Sequence, residues 1–510
     1  MKKTFKKIAG LLLAMVMVFA MTATVFAEGE NTETTYSITI KNESTGHIYE
    51  AYQILKGDLH EGTLSNIEWG SGVNDAGKAE LGDAKANADS LKTSDDAAQF
   101  AKSVASYLTT SAASSSFIPK NEEENTEAKY VISGLAAGYY LIKDKDKSLE
   151  NPNDSYTRYI LKVVGNVEAD PKSDVPSSDK KVKDINDTTG ESTDWQDSAD
   201  YDIGDNVPFR LTATLPNNVS YYDKYKLVFK DTQSKGLTYT GKATVKVNGV
   251  KVGQIDPVIE NYAASDEDDI YAGGKTLTFT IDNVKADPYN AGDSAVITIE
   301  YNSTLNGQAV IGSAGNPNKM HIEYSNNPND SNETGKTPDD TVIVFTYKTI
   351  VNKVDKDGKA LPGAEFTLEK KVKDTSEAGY KWASIQTVKN TEGTIFTFAG
   401  LDDGDYRLTE TETPKGYNTI SPIEFTISAD HDIISDNPAL NTLTGTGESE
   451  ITFTPNITNG SLESNIVNYK GTELPSTGGM GTRIFTVSGL VIMIGAALLL
   501  VTKKRMSIRK

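Results

Sequence analysis

Among the 510 residues there is no cysteine. Disulfides and thiolate metal ligands are therefore excluded in any compartment, and a covalent staple has to come from other side chains. Histidine is nearly as scarce. His47, His60, His321 and His431 stand far apart, without the close spacing of a zinc site. No His-based triad and no paired carboxylates stand out as hydrolase machinery, so an enzyme, a metal and a cofactor are all unexpected. Trp69, Trp195 and Trp382 are too dispersed for a carbohydrate platform. Positive charge is in deficit, with 51 Lys and Arg against 71 Asp and Glu and a formal net charge of -20. Such a balance suits a soluble ectodomain and disfavours nucleic acid as a partner. The acidic stretches at 266–269 and 330–340 lack the Gly and terminal Glu spacing of a calcium loop. Long apolar runs are confined to the two ends.

At the first end, Lys2, Lys3, Lys6 and Lys7 precede a largely apolar stretch from Ile8 to Ala20, and Val25, Phe26 and Ala27 finish on the small residue a signal peptidase needs. Residues 1–27 read as a signal peptide and Glu28 as the mature start. A permanent amino-terminal anchor is the alternative, and Thr22 to Thr24 interrupt the apolar run early for one. At the other end, Leu474, Pro475, Ser476, Thr477 and Gly478 are followed by an apolar run from Ile484 to Val501, then by Lys503, Lys504, Arg505, Arg509 and Lys510. A span of that length and a positive tail describe a chain held at a membrane during export. Pentapeptide, span and tail, at 471–510, resemble the cell-wall sorting signal of Gram-positive surface proteins. The resemblance implies cleavage by a sortase between Thr477 and Gly478.

Between these ends there is chain enough for about three domains of ordinary size. The first, 28–172, opens with the alternating stretch Tyr36 to Ile40 and continues through His47 to Leu55; strands resume at Lys129 to Ile132 and Tyr139 to Ile142, and a last pair covers Tyr159 to Val164 and Asn166 to Ala169. Phe100, Val104, Tyr107 and Leu108 recur at helical spacing after a Ser94, Asp95 start, which predicts one amphipathic helix inserted in a small β-sandwich. Ser173 to Ser178 is a polar, Pro-containing linker. The second domain, 173–347, shows strand patterns at Asn206 to Thr214, Tyr225 to Lys230, Ala243 to Val247, Thr276 to Ile281, Ala295 to Tyr301, Lys319 to Tyr324 and Thr341 to Tyr347. Many short strands with turn signals and no strong helix predict an immunoglobulin-like sandwich. A third domain follows at 348–470. The predicted fold class is all-β, tandem sandwiches with a helical insertion in the first.

Three polar residues in the second domain break its pattern. By a period of two, Lys180 shares a face with Val182, Asp231 with Leu227 and Phe229, and Asn318 with Met320, Ile322 and Tyr324. Each points to the core, where burial apart from the others is expensive. Together they can react. An apolar site favours the neutral, nucleophilic amine and the protonated carboxyl. The carboxyl polarises the carboxamide, ammonia leaves and an amide remains, with proximity supplying most of the rate. Spacing by itself favours a snorkelling Lys180, a turn-capping Asp231 and a loop Asn318.

Longer motifs carry a closer resemblance. HIYEAYQILKGDL, LSNIEWGSGV and GLAAGYYLIKD look like the first domain of sortase-assembled pilus backbone subunits, and VEADPK at 167–172 resembles their pilin motif, with Asp170 where Tyr or Val is commoner. The resemblance makes Lys172 the amine that accepts the Thr of the next subunit; Lys162, Lys180 and Lys181 are nearby competitors. Family members contain Lys-to-Asn isopeptide bonds, which carries over to Lys180, Asn318 and the promoting acid Asp231. IVNKVDKDGKALPGAEFTLEK, GLDDGDYRLTETETPKGYN and SNIVNYKGTELPSTGG resemble a Cna B-type domain. That resemblance implies a second bond between Lys353 and Asn468 promoted by Glu410, with Glu412 a competitor lying past the strand. A third bond, from Lys41, Asp144 and Asn166, is disfavoured because Lys41 has the wrong parity relative to Ile38 and Ile40.

The function so implied is that of a structural backbone pilin, not an enzyme, on the surface of a Gram-positive cell. Its implied partners are a pilin-class (class C) sortase, further copies of itself head to tail, tip and basal pilins, and a housekeeping sortase with peptidoglycan. The alternative is a monomeric, wall-anchored adhesin that binds a host or other extracellular polymer.

Overall fold

Alternating inward residues dominate the chain, and they fold as strands that pair into two-layered sandwiches. The structure, a computed structural model, describes residues 34–123, 125–149, 151–266, 268–376, 378–447, 451–470 and 480–507. The signal peptide, Leu474 to Gly478, Arg509 and Lys510 lie outside the described residues. The described chain divides into two units. One comprises the residues up to Val182 with Asn206–Thr304 and Asn316–Val342; the other comprises Lys183–Asp205, Leu305–Gly315 and the residues from Ile343 onward.

In the first unit, strands run in the order Ser116–Ile118, Lys129–Leu135, Tyr36–Lys41 and Val167–Ala169, the last pair parallel with Ile38 opposite Val167. Facing them is a sheet ordered Thr63–Trp69, Tyr49–His60, Gly138–Asp144 and Arg158–Val163. Ile38, Ile40, Tyr49, Tyr130, Ile132 and Ile142 fill the space between. The insertion holds three helices, Asp75–Leu81, Ala84–Ser90 and Ser94–Ala105, where the sequence predicts one. The two extra helices are a turn or two long, too short for a readable apolar stripe. Their starts are set by the side chains of Asn74 and Asp83, which accept the Gly77 and Ala86 N–H groups. Ser94–Ala105 begins with a reciprocal cap between Thr93 and Asp96 and buries Phe100 and Val104.

The same unit carries a second sandwich. One sheet is ordered Ser177–Val182, Asn206–Thr214, Val296–Leu305, Leu237–Val247 and Val250–Ile255, and the other contains Asn316–Ser325, Leu227–Gln233, Lys275–Ile281 and Val258–Asn261. Phe209, Leu211, Phe229, Phe279, Ile299 and Ile322 are fully buried there.

The second unit is built on the sheets Ile395–Leu401, Tyr347–Asp355, Ser461–Asn468, Thr454–Asn456 and Tyr380–Asn390, Ala364–Lys373, Gly404–Glu412, Ile423–His431, Leu440–Gly447. Tyr347–Asp355 and Ser461–Asn468 run parallel, with Lys353 opposite Ile466 and Asp355 opposite Asn468. The core is aromatic, with Phe345, Phe366, Phe396, Phe398, Tyr406 and Phe425. The run expected as one strand from Thr341 to Tyr347 is instead broken at Thr346, whose hydroxyl donates to the Leu401 carbonyl. At the end of the chain, Met480–Ser507 is one helix, and Ile484–Lys503 is long and apolar enough to cross a membrane.

Candidate functional site

Two inward-facing lysines define the chemistry. Lys180 lies on Ser177–Val182, whose pairing to Asn206–Thr214 turns its side chain inward with that of Val182, and both are fully buried. The amine donates to Asp231 Oδ2 and lies 5.2 Å from the centre of the Phe209 ring. Asp231 and Asn318 are also fully buried. The Tyr301 hydroxyl joins them: it donates to Asp231 Oδ2 at 2.9 Å and accepts from Asn318 Nδ2 at 2.9 Å. Gln233, opposite Asn318 on the neighbouring strand, donates to the same hydroxyl at 3.1 Å and to Ser303 at 2.8 Å. Burial pushes the Lys180 amine below its ordinary value, although Asp231 pulls it the other way. Burial pushes the Asp231 carboxyl up, against the pull of Lys180. Asp231 Oδ1 and Asn318 Oδ1 are buried acceptors without a donor.

Lys353 sits in the second unit with the same residue types around it. Its amine donates to Asn468 Oδ1, to the Ile466 carbonyl at 3.3 Å, and stands 3.6 Å from Glu410 Oε1. Asn468 Nδ2 donates to both Glu410 oxygens at 3.0 Å. Glu410 Oε2 also accepts from the Thr413 hydroxyl at 3.1 Å and the Ile420 N–H at 3.2 Å. Phe366 stands 5.7 Å from the amine. Burial pushes the Lys353 amine down to about 8, with Glu410 opposing. Glu412 is the last residue of its strand rather than beyond it, but it is exposed and pairs with Lys389.

Lys172 is exposed while its backbone is held on both sides. Its N–H donates to the Thr157 hydroxyl at 2.9 Å, and its carbonyl accepts from Asn218 Nδ2 at 3.0 Å. Among the competitors, Lys180 is buried, Lys181 pairs with Asp179, and Lys162 is exposed.

The disfavoured third set is not assembled. Lys41 is on the surface with Glu168 at 2.8 Å, and Asn166 Oδ1 accepts the Ser37 N–H at 3.0 Å. Asp144 is instead buried against His47 Nδ1 at 2.8 Å and accepts the Thr157 N–H at 2.6 Å. Another buried lysine went unread in the sequence: Lys370 donates to Asp187 at 2.9 Å, Asp202 at 2.6 Å and Asp402. Alternation turns it inward with Ala364, Phe366 and Leu368, but its carboxylates come from two distant stretches of chain and gave no signal.

Tandem β-sandwiches with buried Lys, acid and Asn sets, followed by an apolar helix, are the architecture of a surface protein of the pilin type. Comparison with known families agrees. Residues 203–328 match the Cna-B-like domain of Gram-positive pilin backbone subunit 2, residues 348–438 a prealbumin-like fold domain, and residues 466–507 the LPXTG cell wall anchor motif. The trypsin-resistant surface T6 protein of Streptococcus pyogenes serotype M6 is 28% identical over 399 residues, spanning 66% of this chain and 70% of the relative. The solved T6 backbone pilin of serotype M6 Streptococcus pyogenes, described as a modular three-domain structure, superposes with a TM-score of 0.51 at 19% identity, covering 87% of this chain and 100% of that one. The chain thus carries a Cna-B-like domain of the Gram-positive pilin-backbone kind and an LPXTG cell wall anchor motif, and it is similar to backbone pilins held at the cell wall.

Proposed function

We propose that this chain is polymerised covalently. A pilin-class sortase breaks the Thr477–Gly478 bond and holds the Thr477 acyl group as a thioester. The Lys172 amine of another copy attacks it, expelling the enzyme thiol and leaving a Thr477–Lys172 amide. Repetition is head to tail and does not close, so a fibre grows. A housekeeping sortase finally transfers the last subunit to peptidoglycan. The observation that carries this reading is Lys172 itself, an exposed amine on a backbone clamped by Thr157 and Asn218. Pro171 restricts the residue before it and offers no donor, which suits a lysine displayed beyond a strand end. In cells that make the pilus, Lys172→Arg should abolish the ladder of high-mass species that survives boiling in detergent. An undiminished ladder, with no other lysine taking over, would leave the monomeric wall-anchored adhesin as the better description.

Within each subunit the two lysine sites close as isopeptide bonds. A neutral Lys180 or Lys353 amine attacks the Asn318 or Asn468 carboxamide carbon, and the nearby acid, Asp231 or Glu410, carries the proton to the departing ammonia. Division into domains at 28–172, 173–347 and 348–470 goes with this reading: the Lys353–Asn468 bond joins the first and last strands of its sandwich, and the Lys180–Asn318 bond joins the first strand of its sandwich to Asn316–Ser325, which Thr334–Lys336 and Asp340–Phe345 follow. Intact-mass measurement of the chain should show a deficit of two ammonia molecules. An undiminished mass would overturn both crosslinks while leaving polymerisation through Lys172 open.

A further inference from the structure

Away from the two lysine sites, the second unit gathers Asp184, Asp200 and His431, and one ligand atom from each lies within 4.8 Å of the others. The two acids come from the segment Lys183–Asp205, and the histidine ends the strand Ile423–His431. The His431 side chain is 8% exposed and that of Asp200 3%. The orientation of the ring follows from its other nitrogen. Ser198 Oγ donates its only proton to the Asp432 carbonyl, so at 2.7 Å from His431 Nδ1 it can only accept, and Nδ1 must carry the hydrogen. In the neutral ring this turns the bare lone pair of Nε2 toward the carboxylates, 3.7 Å from Asp200 Oδ1.

That separation is too long for a hydrogen bond. It is close to the spacing one ion asks of its ligands: two ligand atoms each about 2.1 Å from a tetrahedral or slightly flattened centre lie about 3.4–3.6 Å apart. The remaining orientation is also built. Asp200 Oδ2 accepts the Asp403 N–H at 3.2 Å, which aims Oδ1 at the histidine. A further polar group faces the same place. The Tyr347 hydroxyl is fully buried beside Asp200, within its reach but without a well-formed hydrogen bond. The nearby lysine, Lys370, cannot serve, because its amine is already engaged by Asp187, Asp202 and Asp402.

We propose that Asp184, Asp200 and His431 bind one divalent transition-metal cation of the Zn2+ or Mn2+ class, with the Tyr347 hydroxyl beside it. One imidazole with two carboxylates favours these ions over Ca2+, which takes more oxygens and seldom a nitrogen. The ion ties the segment Lys183–Asp205 to the end of the strand Ile423–His431. It is a second kind of staple, reversible by a chelator. No local spacing announced it, because the ligands lie at positions 184, 200 and 431.

The test uses the full-length chain without an affinity tag, purified in detergent, stripped with a chelator and titrated with ZnCl2, MnCl2, CaCl2 or MgCl2. One equivalent of Zn2+ or Mn2+ should be taken up, and it should raise the melting temperature by about 5 °C or more. His431→Gln and Asp200→Asn should each lose the uptake and the shift. Their intact masses, compared with that of the parent, report whether the sandwich still folds well enough to close the Lys353–Asn468 amide. Failure of the parent to take up either metal stoichiometrically, uptake of Ca2+ alone, or unchanged uptake in folded variants would each overturn the assignment. None of these outcomes depends on whether the chain polymerises.

Discussion

The Lys180 and Lys353 sites place the same three groups in different frames. Around Lys180 the acid is the shorter Asp231, and the Tyr301 hydroxyl links it to Asn318. Around Lys353 the acid is Glu410, long enough to take the Asn468 amide on both oxygens, and its own position is set by Thr413 and the Ile420 N–H. Lys370, buried in the same unit as Lys353, supplies the contrast. Burial pulls its amine down as well, but Asp402, Asp202 and Asp187 outweigh that and hold it above the ordinary lysine value. Burial of an amine is therefore not enough to set up the proposed amide formation. A single carboxyl does not offset the effect of burial on the amine, whereas three do, and only the first arrangement also offers a carboxamide.

The strongest way to break the comparison is to remove one carboxamide at a time. Asn318→Ala and Asn468→Ala should each leave the mass one ammonia closer to that of the uncrosslinked chain. Each closed loop exceeds a hundred residues, so by analogy with a disulfide of that span each variant should lose about 4–5 kcal/mol, the mechanism being model-dependent. Denaturant unfolding followed by a probe in each sandwich measures it, and equal losses would show that the frames differ only in how they reach the same bond.

A smaller and more selective effect is expected at Tyr301. Tyr301→Phe keeps the ring against Phe209 but removes the hydroxyl between Asp231 and Asn318. The Lys180–Asn318 amide should then form about 10- to 100-fold more slowly, the cost of one or two buried hydrogen bonds in the transition state. The Lys353–Asn468 amide should form at its usual rate. Mass spectra taken at intervals after synthesis separate the two; equal slowing of both would mean that the substitution acts through global folding.

A further effect lies in pH. Asn468→Ala leaves Lys353 unreacted, with its amine pushed by burial down to about 8 from 10.5. Between these values the unfolded chain binds more protons than the folded one, so stability should rise as pH increases from about 8 toward 10.5. Below pH 8 this group should add no slope. Urea midpoints across that range check the sign, and Lys353→Met in the same background should flatten the curve.

The candidate reactive sites were legible where strand parity placed a charged or amide side chain against the core. Lys180, Asp231 and Asn318 interrupt regular alternation, and each is fully buried. Tyr301 interrupts nothing, since an inward tyrosine on a strand reads as core. Its hydroxyl acquires meaning only once Asp231 and Asn318 meet it from two other strands. Asp184, Asp200 and His431 were unreadable for a related reason, because tertiary folding alone brings a segment near 190 to a strand ending at 431. In the first sandwich, parity argued against Lys41, and Lys41 lies at the surface. The preference of Asp144 for His47 depends on pairing across sheets that alternation does not encode.

Parallel pairing between Tyr347–Asp355 and Ser461–Asn468 has a mechanical consequence. Traction applied where the first strand enters and the second leaves loads their hydrogen bonds side by side, in shear, rather than opening them one after another like a zip. An amide from Lys353 to Asn468 would lie near the exit end of both strands. Tension would then run up one strand, across that bond and out, bypassing the loops and sheets in between. Under stretch such a sandwich behaves as a short inextensible link, with almost no hidden length to release.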